Sequence, residues 1–304
     1  MYFIRRLFLL IPLLMFISLL AFMLVRVAPG GPFDRERKPA SPEIEKRLQA
    51  KYHLDEPLWK QYLRYLNGIV HGDFGPSLKQ RNFSVTEIIG QGLPISLTLG
   101  GLSFLFALGA GIPLGFYGAV RKGYWDEYAG SFFTLLLVCV PALAVGPLTV
   151  MVFAIQLRLL PVGLWATPLH AILPTVTLGL YFAGRIARLM REGMLSTLQS
   201  EFITTARAKG LSEQAALWKH AFGIAVLPVL SYSGPLLADL LTGSFVVENI
   251  FQIPGIGVSL VNSSLNRDYP LIVGLVILYA GLLLILNLVV DAVYSQIDPR
   301  IKLT

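Results

Sequence analysis

Long runs without charge are the feature that most limits how this chain can fold. Six stretches of 18 to 33 residues contain no Asp, Glu, Lys or Arg. A helix needs about 20 apolar residues to cross the hydrocarbon core of a bilayer. The sequence therefore predicts an all-α membrane protein with six transmembrane helices. The six runs are Leu7 to Val25, Ile88 to Val120, Tyr128 to Leu157, Leu159 to Gly184, Ala221 to Ala238 and Leu271 to Val290.

The first run has the features of either a secretory signal or a retained helix. Arg5 and Arg6 precede it, as basic residues precede the apolar part of a signal. The run is longer than that part of a signal, and it ends in VRVAPGGPF, which has no cleavage site between small residues. We therefore interpret residues 1–27 as a first transmembrane helix.

The distribution of basic residues predicts the orientation in the membrane. With a cytoplasmic N-terminus, twelve Lys and Arg residues fall in inner segments, and two short outer loops hold only Arg158 and Arg267. This agrees with the positive-inside rule. Both termini, including the tail 294–304, are then cytoplasmic, and the net charge of +7 reflects topology and not nucleic-acid binding. The inner residues are Arg5, Arg6, Arg121, Lys122, Arg185, Arg188, Arg191, Arg207, Lys209, Lys219, Arg300 and Lys302.

Residues 28–92 are expected to form a small helical periplasmic subdomain. From Ser41 to Val70, apolar residues recur among charges at largely helical spacing. Ser41 and Pro42 favour a helix start, and Pro57 is expected to divide the segment into two helices. A five-helix core, residues 93–293, follows, and its spans are rich in the Gly and Pro that closely packed membrane helices tolerate.

A polar segment, EFITTARAKGLSEQAALWKHA, interrupts this apolar chain from Glu201 to Ala221. We expect a helix from Glu201 to Lys209 that ends at Gly210, because Gly readily adopts the left-handed conformation. Ser212 is expected to cap a second helix. The predicted structure is a helix, a sharp turn and a second helix, within a cytoplasmic loop from 191 to 221.

Three interpretations of this polar segment remain open from the residues alone. Its exposed face can dock a cytoplasmic protein. Alternatively, Arg207, Lys209, Lys219 and Trp218 suit a helix that lies on anionic lipid. The third interpretation is a long loop without a function of its own.

The sequence QIPGIG, from Gln252 to Gly257, predicts a tight or re-entrant turn. NRDYP then begins the last span, with Asp268 as its N-cap and Pro270 in its first turn. This region is either a simple turn or a periplasmic gate or binding-protein contact. Candidate residues for the gate or contact are Asp73, Glu248, Pro254, Gly255, Gly257 and Asp268.

Asp239 is the one carboxylate in an otherwise uncharged run that extends to Val247. Ionisable groups at membrane depth usually face a cavity or a partner, because a charge in lipid costs several kcal/mol. Asp239 is therefore a candidate for the translocation path. The alternative is a position close to the membrane interface.

Enzyme and metal signatures are absent from the sequence. The four histidines have no paired metal-ligand spacing, and neither G-x-S-x-G nor the phosphate-binding G-x-x-x-x-G-K-[ST] occurs. If ATP drives this protein, another chain must bind it. The only cysteine, Cys139, excludes an internal disulfide.

The run TTARAKGL, with Pro228 downstream, resembles the EAA loop of bacterial ABC importer permeases, which couples them to an ATPase. The spacing from Gly210 to Pro228 and the sequence KHA at Lys219 to Ala221 are similar to the dipeptide and oligopeptide permeases. Thr204 and Thr205 replace the usual Glu and Ala, so no role of that Glu is carried over. The stretches RRLFLLIPLL, VRVAPGGPF, AKYHLDEPLWKQYLRYL, HGDFGPS, GSFVVENIFQIPGIG and LNRDYPLIVG resemble the B-type subunits of oligopeptide importers.

The resemblance implies a type I ABC importer permease fold and a transport subunit that is not an enzyme. It further implies four partners, namely a homologous second permease, two ATPase subunits or domains, a solute-binding protein and a peptide substrate. The chain itself would lie in a bacterial inner membrane, in contact with lipid. ATP and Mg²⁺ would bind to the ATPases, and no cofactor to this chain. The residues that it assigns to the coupling loop are Thr205, Ala206, Lys209, Gly210, Leu211, Ser212, His220 and Pro228.

Two other classes of function are less well supported. A stand-alone secondary transporter needs ion-coupling groups in the membrane, and the sequence offers little beyond Asp239. An intramembrane hydrolase needs a pair of catalytic residues inside the spans, and none is visible. The sequence does not distinguish ordinary peptides from murein peptides, nickel chelates or opines, which related importers carry.

Overall fold

The computed structural model describes residues 2–27, 55–80 and 82–297. These residues are largely helical, and their only β-pairing is an isolated bridge between Pro76 and Ser84. The all-α prediction is thus confirmed. The helix expected to begin at Ser41 and the sequence APGGP lie outside the described residues.

Helices account for most of the described chain, and they comprise α-helices and shorter segments of 3-10 or π-helix. In chain order, the α-helices are α1 (Tyr2–Val27), α2 (Leu58–Val70), α3 (Val85–Val120), α4 (Trp125–Cys139), α5 (Ala142–Thr149), α6 (Ile172–Leu198), α7 (Glu201–Ala208), α8 (Glu213–Ala215), α9 (Phe222–Ala225), α10 (Leu227–Leu241), α11 (Phe245–Ile250), α12 (Ile256–Asn266) and α13 (Tyr269–Ile297). The other segments are a π-helix after α5 (Val150–Gln156), a 3-10 turn before α6 (Pro168–Ala171) and a π-helix between α8 and α9 (Ala216–Ala221).

Four helices of the described chain are long and apolar enough to cross a membrane, namely Phe8–Val27, Val85–Val120, Pro168–Leu198 and Tyr269–Val290. A fifth candidate consists of Glu213–Ala225 and Leu227–Leu241, which meet at a bend of 42°. The run expected to be the third span is divided at Pro141 into α4 and α5, and a single helix does not cover it. Six spans therefore remain a prediction.

The run expected to be the fourth span is displaced along the chain. Residues 159–167 are not helical. Helical structure starts at Pro168, where Thr167 and His170 form a capping box, and α6 continues to Leu198. A helix of 27 residues is about 40 Å long, which exceeds the hydrocarbon core of about 30 Å. Arg185 therefore lies within α6 and not beyond its end, and the start of the predicted loop 191–221 belongs to the same helix.

The described residues form two compact units, of which the first comprises Met1–Ser96 and Pro254–Leu288. In this unit α12, α13 and the start of α3 share an apolar core, and the Ile256 amide donates a hydrogen bond to Ser96 Oγ at 3.0 Å. The buried core residues are Val85, Ile88, Ile89, Ile256, Leu271 and Leu275.

Helix α2 begins directly after Pro57, as the sequence predicts, and packs on α1 within the first unit. The Tyr62 hydroxyl lies 2.9 Å from Ser18 Oγ, and Arg26 donates to Gln61 Oε1 at 2.8 Å. Burial raises the pKa of the Tyr65 hydroxyl well above its ordinary value, so this group stays neutral.

The second unit comprises Leu97–Ile253 and Val289–Leu303, and α6 is its central helix. Helices α4, α5, α9 and α10 all pack against α6. Small residues allow this packing, since a Cβ on Gly111 of α3 would lie 2.7 Å from the Ala183 carbonyl oxygen. A Cβ on Gly179 would lie 2.8 Å from the Ser103 carbonyl oxygen. The close helix packing expected from Gly in the spans is confirmed at these positions.

Candidate functional site

The polar segment forms two short helices joined by a sharp turn at Gly210. The Gly210 backbone has φ of +83°, and its N–H donates to the Arg207 carbonyl at 2.9 Å. The Leu211 N–H donates to the Ala206 carbonyl at 3.3 Å. This pair of hydrogen bonds is the Schellman motif that ends a helix at a left-handed residue. The predicted helix, glycine turn and second helix are confirmed.

The second helix starts at its predicted cap and is tied to the first helix across the turn. Ser212 Oγ accepts a hydrogen bond from the Ala215 N–H at 3.4 Å. Arg207 Nη2 lies 2.5 Å from Glu213 Oε1. Because both charged side chains are about half exposed, the pair adds roughly 0–1 kcal/mol to stability. It links the end of α7 to the start of α8.

The turn is anchored on one side and exposed on the other. Its apolar anchors are Ile203, Ala216, Leu217 and Ala221, all of them buried. On the opposite side Thr205, Lys209, Gly210 and Ser212 are exposed. The Thr205 hydroxyl donates to the Glu201 carbonyl of its own helix at 2.9 Å. The segment therefore presents a rigid polar turn on a buried apolar base.

Two residues assigned to the coupling loop lie outside this turn. His220 is exposed in the π-helix that follows α8. Pro228 is in the first turn of α10, beyond the 42° bend. The structure thus groups Thr205, Ala206, Lys209, Gly210, Leu211 and Ser212 at the turn, whereas His220 and Pro228 belong to later helices.

Three aromatic rings connect this segment to the end of α3, a contact that the sequence did not reveal. The Trp218 ring stacks on Phe116 with centroids 4.5 Å apart, and it lies 5.4 Å from the Phe222 ring. Phe116 and Phe222 make an edge contact at 6.0 Å. Trp218 therefore packs on protein, although 58% of its surface is exposed. Only its amphipathic character was visible in the sequence.

Asp239 is exposed on α10. Tyr232 precedes it by two turns on the same helix. The Arg185 guanidinium lies 5.0 Å from the centroid of the Tyr232 ring. The sequence analysis placed Arg185 in an inner segment and did not pair it with Tyr232. The two residues are almost 50 positions apart along the chain, so no local pattern connects them.

The candidates for an outer gate divide into buried and exposed residues. Glu248 is fully buried in α11, and Gly255 and Gly257 are buried at the start of α12. A Cβ on Gly92 would lie 3.2 Å from the Ile256 amide nitrogen, so the backbones approach closely here. Pro254 and Asp73 are exposed, and Asp73 accepts a hydrogen bond from the Gly75 N–H at 2.8 Å.

Asp268 is buried and links the start of α13 to the turn after α2. Its carbonyl accepts the first bond of α13 from the Ile272 N–H at 2.9 Å, so it occupies the predicted N-cap position. Its carboxylate accepts hydrogen bonds from the Ser77 hydroxyl and, at 3.0 Å, from the Leu78 N–H. Asp268 thus fixes an internal turn and offers no surface to a partner.

The chain belongs to the family of binding-protein-dependent transport system inner membrane components. The family model matches residues 111–303, and the model for the N-terminal part of such membrane components matches residues 1–99. The chain is therefore a transport component and not an enzyme. In the part of the chain that the structure describes, no group of three or more His, Cys, Asp or Glu side chains could hold a metal ion.

Relatives along the full length have names that refer to peptides. The chain is 42% identical over 300 residues to the oligopeptide transport system permease protein OppB of Haemophilus influenzae, with 98% of each chain covered. It is 40% identical over 302 residues to the dipeptide transport system permease protein DppB of Bacillus subtilis, with 99% of this chain and 98% of the relative covered.

Solved structures of two other importers share the fold. An inward-facing form of the MetNI methionine ABC transporter matches with a TM-score of 0.59 and 16% identity, over 70% of this chain and 97% of that chain. An amino acid ABC transporter solved with histidines matches with a TM-score of 0.51 and 18% identity, over 71% and 95%. The ABC importer permease fold expected from the sequence is thereby confirmed.

Proposed function

We propose that this chain is the transmembrane permease subunit of an ATP-driven importer and forms half of a pathway for peptides. The observation that carries the proposal is the exposed Gly210 turn, which joins α6 to the bent candidate span and rests on buried anchors. Full-length relatives named as oligopeptide and dipeptide permeases support peptides as the cargo.

The turn is the docking element for an ATPase. Its backbone is held by a Schellman motif and by the ion pair between Arg207 and Glu213, so little conformational freedom is lost on binding. Short polar side chains let a partner approach the backbone. The docking residues are Thr205, Ala206, Lys209, Gly210, Leu211 and Ser212, and His220 and Pro228 support them from later helices.

Movement of the docked turn reaches the membrane helices through two contacts. Trp218 stacks on Phe116 at the end of α3. A Cβ on Gly193 of α6 would collide with the Ala225 carbonyl, so α6 and α9 are in backbone contact. When an ATPase moves the turn, α3 and α6 move with it, and a cavity between two permeases opens to one side and then to the other.

The complex that this mechanism requires contains a homologous second permease, two ATPase subunits or domains that bind ATP and Mg²⁺, and a solute-binding protein. This chain binds no cofactor. It lies in a bacterial inner membrane with residues 28–92 outside and both termini in the cytoplasm, as the excess of inner basic residues favours.

Asp239 faces the translocation cavity, since its exposed carboxylate would be costly in lipid. Pro254 and Asp73 form the outer contact for the binding protein because both are exposed. The buried residues Gly255, Gly257 and Asp268 shape this region from inside. Glu248, buried in α11, is a separate candidate for the gate.

The test is to purify the intact complex with its binding protein and to identify the co-purified ligand by mass spectrometry. The complex is then reconstituted in proteoliposomes, where uptake and ATP hydrolysis are measured with and without vanadate. We expect a peptide ligand and uptake that vanadate abolishes. Vanadate-resistant uptake would instead identify a stand-alone secondary transporter. A murein peptide, nickel chelate or opine as ligand would change the cargo and leave the importer mechanism intact.

A further inference from the structure

Two opposite charges lie on adjacent helices of the second unit. Arg185 is in the middle of α6, thirteen residues from each end, and its guanidinium is 5.0 Å from the Tyr232 ring of α10. Asp239 follows Tyr232 by seven residues, which is two helical turns, so it lies on the same face of α10 and about 10 Å further along.

Neither charge has an ionic partner within residues 2–27, 55–80 and 82–297. Both side chains are exposed, and the Arg185 guanidinium lies 5.0 Å from the centroid of the Tyr232 ring. By contrast, Arg188 of the same helix pairs with Glu192 at 2.9 Å. Unpaired charges on membrane helices face a water-filled cavity or a partner, because their exposure to hydrocarbon is costly.

Two tyrosines complete this face. Tyr181 precedes Arg185 by one turn of α6, and Tyr232 of α10 lies beside Arg185. We call Tyr181, Arg185, Tyr232 and Asp239 the polar seam. It combines a cation, an anion and two aromatic rings, which are the groups that recognise a carboxylate, an ammonium group and apolar side chains.

We propose that the polar seam binds the two ends of a peptide, with Arg185 on the terminal carboxylate and Asp239 on the terminal ammonium group. This inference rests on the proposed function. An extended chain of three residues spans about 10 Å, which matches the rise along α10 from Tyr232, the ring beside Arg185, to Asp239. The ends of a longer peptide contact the two charges one after the other as the peptide passes through.

The polar seam also determines which end of the peptide enters the cytoplasm first. In the proposed orientation, α10 runs from the cytoplasm outward, so Asp239 is the outer charge and Arg185 the inner one. The peptide therefore enters the cytoplasm with its C-terminus first.

Two photoreactive tripeptides test this inference on the intact reconstituted complex with its binding protein. Both have free termini, and p-benzoylphenylalanine is C-terminal in one and N-terminal in the other. We expect the first to label α6 near Arg185 and the second to label α10 near Asp239. Arg185→Gln should reduce the first labelling about tenfold, the effect of losing one hydrogen bond to a charged group.

The controls separate a binding role from a structural one. Arg185→Lys keeps the charge and should retain most of the labelling, and Arg188→Gln should label as the wild type does. Labelling at the same residues by both peptides, or unchanged labelling in Arg185→Gln, would overturn the inference. So would failure of the Arg185→Gln complex to assemble, which would identify Arg185 as a contact of the partner permease. If the wild-type complex takes up neither peptide, the proposed peptide cargo itself is wrong.

Discussion

Gly210 combines a positive φ of +83° with open space around the position of a Cβ. A Cβ there would meet no atom within 4 Å, so the cost of a substitution comes from the backbone conformation. For a β-branched residue this cost is on the order of 1–3 kcal/mol. A change of about 1.4 kcal/mol alters an affinity tenfold.

We predict that Gly210→Val inserts normally and abolishes the stimulation of ATP hydrolysis by loaded binding protein. Gly210→Asn is the matched variant, because Asn tolerates the left-handed conformation, and it should keep most of the stimulation. Both are measured in proteoliposomes. Equal activity of the two variants would show that the conformation of the turn is not what matters.

A second prediction concerns Asp268. Asp268→Ala leaves the Ser77 hydroxyl and the Leu78 N–H without their acceptor, which costs about 1–3 kcal/mol. Asp268→Asn retains a hydrogen-bond acceptor and should lose less stability than Asp268→Ala. Thermal unfolding of the detergent-solubilised complex measures both. The control is Asp73→Ala, since that exposed carboxylate accepts a hydrogen bond from Gly75 within its own turn. Equal losses of thermal stability in the two alanine variants would contradict the structural role of Asp268.

Single residues were predictable from the sequence where a local rule applies. Gly210, Ser212 and the position of Asp268 follow from backbone conformation and helix capping, which involve a few adjacent residues. The partners of the Asp268 carboxylate and of Arg185 are about 190 and 47 residues away. No local pattern encodes such pairs, so the sequence did not reveal them.

At the level of helices, the stack of Trp218 on Phe116 should transmit movement from the turn to α3. Aromatic pairs of this kind contribute about 0.5–1.5 kcal/mol beyond the area that they bury. We predict that Trp218→Ala and Phe116→Ala each weaken the stimulation of ATP hydrolysis by the loaded binding protein. The double variant should be no worse than the stronger single variant, because both lose the same contact. Strictly additive losses in this double-mutant cycle would mean that the stack transmits nothing.

Helix boundaries were predicted well where capping residues mark them. They were predicted poorly where the first charged residue after an apolar run was taken as the end of a span. Helix α2 starts after Pro57 as expected, whereas α6 continues past Arg185 to Leu198. Charge limits the part of a helix that lipid can cover, but it does not end the helix. No sequence pattern predicted the π-helices at Val150–Gln156 and Ala216–Ala221.

For the whole molecule, the orientation in the membrane can be tested with cysteine labelling. Cys139→Ala removes the only cysteine of the chain and provides the background. We expect a cysteine introduced by Lys60→Cys to react with a membrane-impermeant thiol reagent in intact spheroplasts. One introduced by Lys209→Cys should react only after the membrane is broken. The reverse pattern would invert the topology.

The ATPase-coupling role of the Gly210 turn is tested most directly by crosslinking in the intact complex. In the Cys139→Ala background, Ser212→Cys is treated with a short bifunctional thiol reagent, and the products are identified by mass spectrometry. Lys122→Cys, exposed in the turn between α3 and α4, is the matched cytoplasmic control. We expect a crosslink from position 212 to the ATPase and a much weaker one from position 122. A crosslink from position 122 without one from position 212 would contradict it.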